Sequence, residues 1–240
     1  MFTPILCNLV LPAFERLLRC RLWVAPLLAV FASPALYAAT ATLNFVDQNG
    51  QLLERAVVVV SSTSIAARTT VPAVHLMDQV AKRFVPDVIA INTNDSIRFP
   101  NSDDIRHHVY SFSVPLTFEL PLYSGEPENP VLFREPGMVI VGCNIHDRMQ
   151  GFIYIIDKSL HAVSAAGKVT FADLPDEALT FTVYHPDART EPALEFVIQA
   201  GELEHANAPY SVALKLPAAE PDTANMTELQ KKFLQLRHNH

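Results

Sequence analysis

The chain has 240 residues, of which 50% are hydrophobic and 18% are charged, and this composition is that of a globular protein. Its formal net charge of -7 argues against binding to nucleic acid or to an anionic membrane surface by bulk electrostatics. The 18 prolines against 7 glycines favour short strands and turns over long helices.

The first 39 residues are predicted to be an export signal. Three arginines form its basic region, namely Arg16, Arg19 and Arg21. An apolar run over residues 22–32 follows, and small residues come after it. Because this run is too short to favour a stable membrane span, we expect cleavage near Ala38, or just after residues 39–41, and no span afterwards. An uncleaved membrane anchor is the alternative.

Strand-like segments separated by turns follow from residue 41 onward. Asn49 and Gly50 are a tight-turn signal after the first of them. The strands predicted before residue 158 cover 43–47, 56–60, 85–91, 96–99, 108–112, 136–142 and 151–157. Residues 77–84 fit either a short helix or an irregular excursion. Short strands with regular turns favour an all-β sandwich or barrel.

A second β unit is predicted after residue 157. Its strands cover 167–171, 179–184, 194–198 and 210–216. Because about 60 residues are few for independent folding, we expect this unit to pack on the first. A linker and a short amphipathic helix over 227–237 are predicted to end the chain. The expected domains are 1–39, 40–157, 158–217 and 218–240.

The strongest functional signal is a C-x-x-H-x-x-M segment formed by Cys143, His146 and Met149. Cys143 is the one cysteine that remains after removal of the export signal, which contains Cys7 and Cys20. A lone thiol in an oxidising compartment needs either burial or a bound metal. Apolar strands flank the segment, so thiolate, imidazole and thioether can turn toward one point. The alternative is that the cysteine and the methionine only fill the core.

The donor types favour copper over zinc, because methionine is a poor zinc ligand. A trigonal site of two histidines and one cysteine, with a weak axial methionine, needs a second histidine from elsewhere in the chain. His107, 36 positions before Cys143, and the adjacent His108 are the candidates. Alternation along a strand points their rings to opposite faces, so we expect only one of them to bind.

These motifs resemble the cupredoxin family of blue-copper proteins. Residues 77–157 further resemble plastocyanin-like proteins often labelled methylamine utilisation proteins, and residues 99–112 and 142–147 carry that resemblance. The C-x-x-H-x-x-M loop has the length found in amicyanin. The resemblance implies a cupredoxin-like Greek-key β-sandwich over 40–157. Residues 158–217 resemble the small β-sandwich of carboxypeptidase regulatory-like domains.

The resemblance implies a single type 1 copper ion. Cys143 is then the thiolate ligand, His107 and His146 are the imidazole ligands, and Met149 is the weak axial ligand. The family usually has asparagine after the first histidine, where this chain has His108. His108 is therefore either the ligand in place of its neighbour or a hydrogen-bonding support for the site.

Such a site implies a periplasmic one-electron carrier rather than an enzyme. The expected partners are periplasmic redox proteins, such as cytochromes or copper or quinoprotein dehydrogenases. A periplasmic Cu(I)-binding carrier or sensor is one alternative, and a structural module with a vestigial metal site is another. The ligand set alone does not separate these functions.

Overall fold

The computed structural model describes residues 39–68, 71–188, 192, 194–203 and 208–216. The predicted export signal lies outside these residues apart from its last position, and the predicted C-terminal helix lies wholly outside them. Within the described ranges, no helix has the length and apolar character needed to cross a bilayer. The prediction of an all-β fold is confirmed, because strands make up nearly all of the regular structure there.

The described residues form strands β1 to β17 and two short helical turns. In chain order the strands are β1 (Ala39–Asp47), β2 (Val57–Ser61), β3 (Val74–Leu76), β4 (Asp78–Val80), β5 (Arg83–Val85), β6 (Val88–Asn92), β7 (Ser96–Arg98), β8 (His107–Ser113), β9 (Leu116–Tyr123), β10 (Val131–Leu132), β11 (Gly137–Cys143), β12 (His146–Ile156), β13 (Leu160–Val163), β14 (Lys168–Leu174), β15 (Leu179–Tyr184), β16 (Leu194–Ile198) and β17 (Tyr210–Leu214). The helical turns are α1 (Thr63–Ala66) and a 3₁₀ turn (Pro186–Ala188).

Two sheets enclose the core of the first β-sandwich. One has the strand order β6-β12-β11-β8-β9, and the other has the order β10-β7-β3. In the five-stranded sheet β6 runs parallel to β12, and the other neighbours are antiparallel. Phe99, Phe133 and Ile153 belong to the buried apolar cluster of this sandwich. The same cluster contains Cys143 and Met149, so two of the predicted metal ligands belong to a packed core.

The second sandwich combines strands from two distant parts of the chain. Its sheets have the orders β14-β1-β17 and β13-β2-β15-β16. Leu43 of β1 pairs with Val169 of β14, for example, and both belong to its buried core together with Phe45 and Phe181. The predicted boundary assigned residues 40–61 to the first unit, whereas their hydrogen bonds join them to strands after residue 157. Local sequence patterns do not reveal such pairing, because it depends on contacts between segments far apart in the chain.

Strand β2 packs on both of its faces. Two of its valines lie in the core of the second sandwich. The other two, Val57 and Val59, form a separate buried cluster with Val88 and Tyr154 of the first sandwich. This burial on both faces explains why β2 is a continuous apolar run rather than an alternating pattern.

Residues 77–84 form a hairpin instead of the helix that was one of their predicted structures. β4 pairs antiparallel with β5, and Val80 pairs with Arg83 across a two-residue turn. The turn residues Ala81 and Lys82 have φ values of 50° and 59°. Positive φ at both central residues is the conformation of a type I′ hairpin turn. Neither residue is the Asn or Gly that is typical of such a turn. The sequence pattern therefore did not predict it.

His185 is a buried histidine that the second sandwich holds with two hydrogen bonds. Its Nε2 lies 3.0 Å from the carbonyl oxygen of Glu54, and its Nδ1 lies 3.2 Å from the backbone nitrogen of Asp187. The first ring nitrogen donates and the second accepts, so the ring is neutral. Burial lowers the pKa of His185 below its ordinary value.

We expect the free energy of unfolding to fall as the pH drops below about 6.5, and to fall less in His185→Gln. The folded pKa is depressed, so the unfolded chain takes up the proton first. The stabilisation is therefore complete above the unfolded pKa and is lost as the pH falls toward the folded one. Urea unfolding of both proteins above and below this range measures the difference, and an identical pH dependence would contradict the assignment. The glutamine retains a donor for the Glu54 carbonyl.

Candidate metal centre

The segment that carries the C-x-x-H-x-x-M motif is a tight connection between two strands. β11 ends at Cys143 and β12 begins at His146, so only Asn144 and Ile145 join them. Cys143 lies opposite His146 in the pairing of the two strands, where the register shifts. The short connection therefore holds the thiol and the imidazole side by side.

Strand β8 brings His107 to the same place from the neighbouring position in the sheet. Cys143 pairs with Val109, and His107 lies two residues before Val109, on the same face of β8. Val109 and His107 are both fully buried. Strand pairing thus brings together a histidine and a cysteine that lie 36 positions apart in the chain.

Three of the four predicted ligands, His107, Cys143 and His146, converge at short distances. The Sγ atom of Cys143 lies 3.6 Å from Nδ1 of His107 and 3.6 Å from Nδ1 of His146. The three potential ligand atoms all lie within 4.8 Å of one another. Donor atoms bound about 2.0–2.3 Å from one ion in a trigonal plane would lie roughly 3.6 Å apart. A single ion therefore fits among these atoms with little movement of the protein.

The electrostatic surroundings favour the neutral form of His146. Burial is the main cause that lowers the pKa of His146, and the nearby His107 and Lys82 lower it further. Metal binding requires a neutral imidazole, so the lowered pKa of His146 favours the form that binds.

Met149 lies on β12, three residues after His146. It is 1% exposed and belongs to the same buried cluster as Cys143. The Met149 thioether therefore lies in the same buried core as the Cys143 thiol. Thiolate, imidazole and thioether together form a soft donor set that suits copper.

His108 points to the other face of β8 from His107. Its Nε2 lies 3.0 Å from Oε1 of Glu119, and its ring packs against Tyr110 with centroids 5.6 Å apart. Of the two adjacent histidines considered from sequence, the structure brings only His107 to Cys143.

Asp103 is the residue of this site that the sequence analysis missed. Its Oδ2 lies 2.7 Å from Nε2 of His107, the ring nitrogen that faces away from Cys143. Hydrogen bonds, first that from the backbone of Lys82 and then that from His107, hold the pKa of Asp103 below its ordinary value. A carboxylate four residues before a histidine has no characteristic spacing that marks it as a partner in the sequence.

No known protein-family model matches the sequence, and no curated protein matches it either. Solved structures of copper proteins align with part of the chain. A Cu-containing nitrite reductase from Thermus scotoductus SA-01 is 24% identical over 38% of this chain and 24% of its own, with a TM-score of 0.33.

Two smaller proteins align over nearly their whole length. The reduced Cu(I) form of an amicyanin variant at pH 4 is 18% identical over 40% of this chain and 98% of its own, with a TM-score of 0.32. A purple cupredoxin from Nitrosopumilus maritimus is 17% identical over 34% of this chain and 99% of its own, with a TM-score of 0.31. All of these TM-scores are low, and a likeness of this degree decides neither fold nor function.

Proposed function

We propose that the protein binds one type 1 copper ion with His107, Cys143 and His146, with Met149 as a weak axial ligand, and carries single electrons. The observation that supports this most strongly is the convergence of the thiol and the two Nδ1 atoms within 4.8 Å. Bound copper supplies one-electron redox chemistry, and this donor set is the one that suits electron-transfer copper sites.

The burial of the ligands is graded, and this gradient suits electron transfer. His107 is 0% exposed and Cys143 is 4% exposed, so the core keeps water from them. His146 is only partly buried, and the adjacent Ile145 is 51% exposed. A shielded site resists exchange of its ligands for water, while one imidazole edge near the surface gives a partner access.

We further propose that the protein is exported to the periplasm and is not an enzyme. Export is supported by the basic and apolar pattern of the first 39 residues. In that compartment its partners would be redox proteins, such as cytochromes or copper or quinoprotein dehydrogenases, that give or accept one electron.

The test is a titration of the purified mature chain with Cu(II), followed by visible absorption. We expect an intense band from the thiolate–copper bond that saturates at about one copper per chain. Binding of Cu(I) without such a band under oxidising conditions would overturn the electron-carrier proposal in favour of a copper carrier. Binding of neither ion would overturn the metal site itself.

A further inference from the structure

The imidazole of His107 is held from behind by a carboxylate. Nε2 of His107 lies 2.7 Å from Oδ2 of Asp103, on the side of the ring opposite to the Nδ1 atom that faces Cys143. The His107 side chain is 0% exposed and the Asp103 side chain is 13% exposed. A carboxylate accepts from Nε2–H and so leaves the Nδ1 lone pair free to bind a metal.

Asp103 is itself fixed by backbone hydrogen bonds from another element. The backbone N–H of Ala81 donates to Oδ1 at 2.6 Å, and that of Lys82 donates to Oδ2 at 2.9 Å. These are the two residues with positive φ in the β4–β5 turn. The backbone N–H of Asp103 donates to Oδ1 of Asn101, which is buried. The hairpin turn, the carboxylate and the imidazole therefore form one connected chain of contacts.

We propose that Asp103 is a positioning residue that fixes the orientation of His107 and holds a negative charge against the metal site, which favours Cu(II) over Cu(I). This inference rests on the proposed copper-binding function. A carboxylate bonded to a ligand histidine makes the imidazole a stronger donor, and the higher charge of Cu(II) gains more from that donor and from the nearby negative charge.

A second histidine–carboxylate pair lies one residue further along the same strand and shows why burial matters. His108 bonds to Glu119, whose side chain is 69% exposed. Solvent screens a charge in that position, so the interaction contributes little. The Asp103 side chain is only 13% exposed and bonds to a predicted ligand, so solvent screens its charge less than that of Glu119.

The test compares the reduction potentials of copper-loaded Asp103→Asn and wild type. We expect the variant to bind copper and to show the thiolate band, with the ratio of Cu(II) to Cu(I) affinity lowered about tenfold. This tenfold change corresponds to a rise of about 59 mV in the reduction potential of a one-electron couple. Asp103→Glu restores the charge and should return the potential toward the wild-type value.

The matched control is Asp104→Asn. It removes the same charge from the adjacent, exposed position. We expect its potential to equal that of wild type, because water screens an exposed carboxylate. An equal rise in both variants would show a general charge effect and would overturn the specific role of Asp103.

A measurement on the metal-free wild type keeps the inference testable if Asp103→Asn does not fold. Nitrogen-15 NMR of the histidine side chains should find His107 with its proton on Nε2 and none on Nδ1. A proton on Nδ1 would contradict the inference. So would an unchanged potential in a folded Asp103→Asn protein that binds copper, whereas a wild type that binds no copper would instead refute the proposed function.

Discussion

Replacing Cys143 by serine is expected to abolish the visible thiolate–copper band completely. The sulfur of Cys143 lies 3.6 Å from the Nδ1 atoms of both His107 and His146, so it is the donor next to both imidazoles. A serine hydroxyl is a hard and weakly acidic donor that does not replace a soft thiolate. Absorption during titration with Cu(II) measures the loss, and equilibrium dialysis measures the accompanying fall in affinity.

The adjacent histidines provide the matched pair of controls. His107→Gln should lose the band because it removes a converging ligand atom. His108→Gln should retain it, because His108 contacts Glu119 and Tyr110 on the other face of β8. A band that survives in Cys143→Ser, or that disappears in His108→Gln and not in His107→Gln, would refute this ligand assignment.

The largest stability effect is expected for Phe181→Ala. Phe181 is 0% exposed in the core of the second sandwich, where its ring stacks on Phe196 and meets Phe171 edge-on. Truncation of a fully buried phenylalanine costs about 3–5 kcal/mol, because it removes apolar contacts and leaves a cavity. Chemical unfolding followed by circular dichroism measures the change in the free energy of unfolding.

Val197→Ala is the control for Phe181→Ala, because it truncates a side chain on β16 that is 50% exposed. We expect it to change the free energy of unfolding by no more than about 0.5 kcal/mol. A loss below about 1 kcal/mol in Phe181→Ala would contradict the packing of this core. The total free energy of unfolding of a native domain is only about 5–15 kcal/mol, so the expected loss is a large share of it.

The candidate site could be predicted in part from the sequence, because three of its ligands lie in one short segment. Cys143, His146 and Met149 follow one another at three-residue steps between two apolar strands, and the structure places those strands as neighbours. Covalent connection limits how far apart these side chains can lie. The chemistry of a thiolate, an imidazole and a thioether then points to a soft metal without further knowledge of the fold.

The positions of His107 and Asp103 in the site depend on which face of a strand packs against the core. Alternation along β8 separates His107 from His108 but does not say which of them meets the core, and pairing with β11 decides this. Asp103 shares this dependence, because its contact with Ala81 and Lys82 arises from a hairpin turn that neither residue type predicts.

By itself the sequence determined the all-β character, most strand positions and the spacing of three candidate ligands, since each of these follows from residues close together in the chain. Only the tertiary structure decided that β1 and β2 belong to the second sandwich, that His107 faces Cys143, and that Asp103 supports it. Strand partners and inward faces are selected by burial of apolar surface between distant segments, and local composition does not encode that choice.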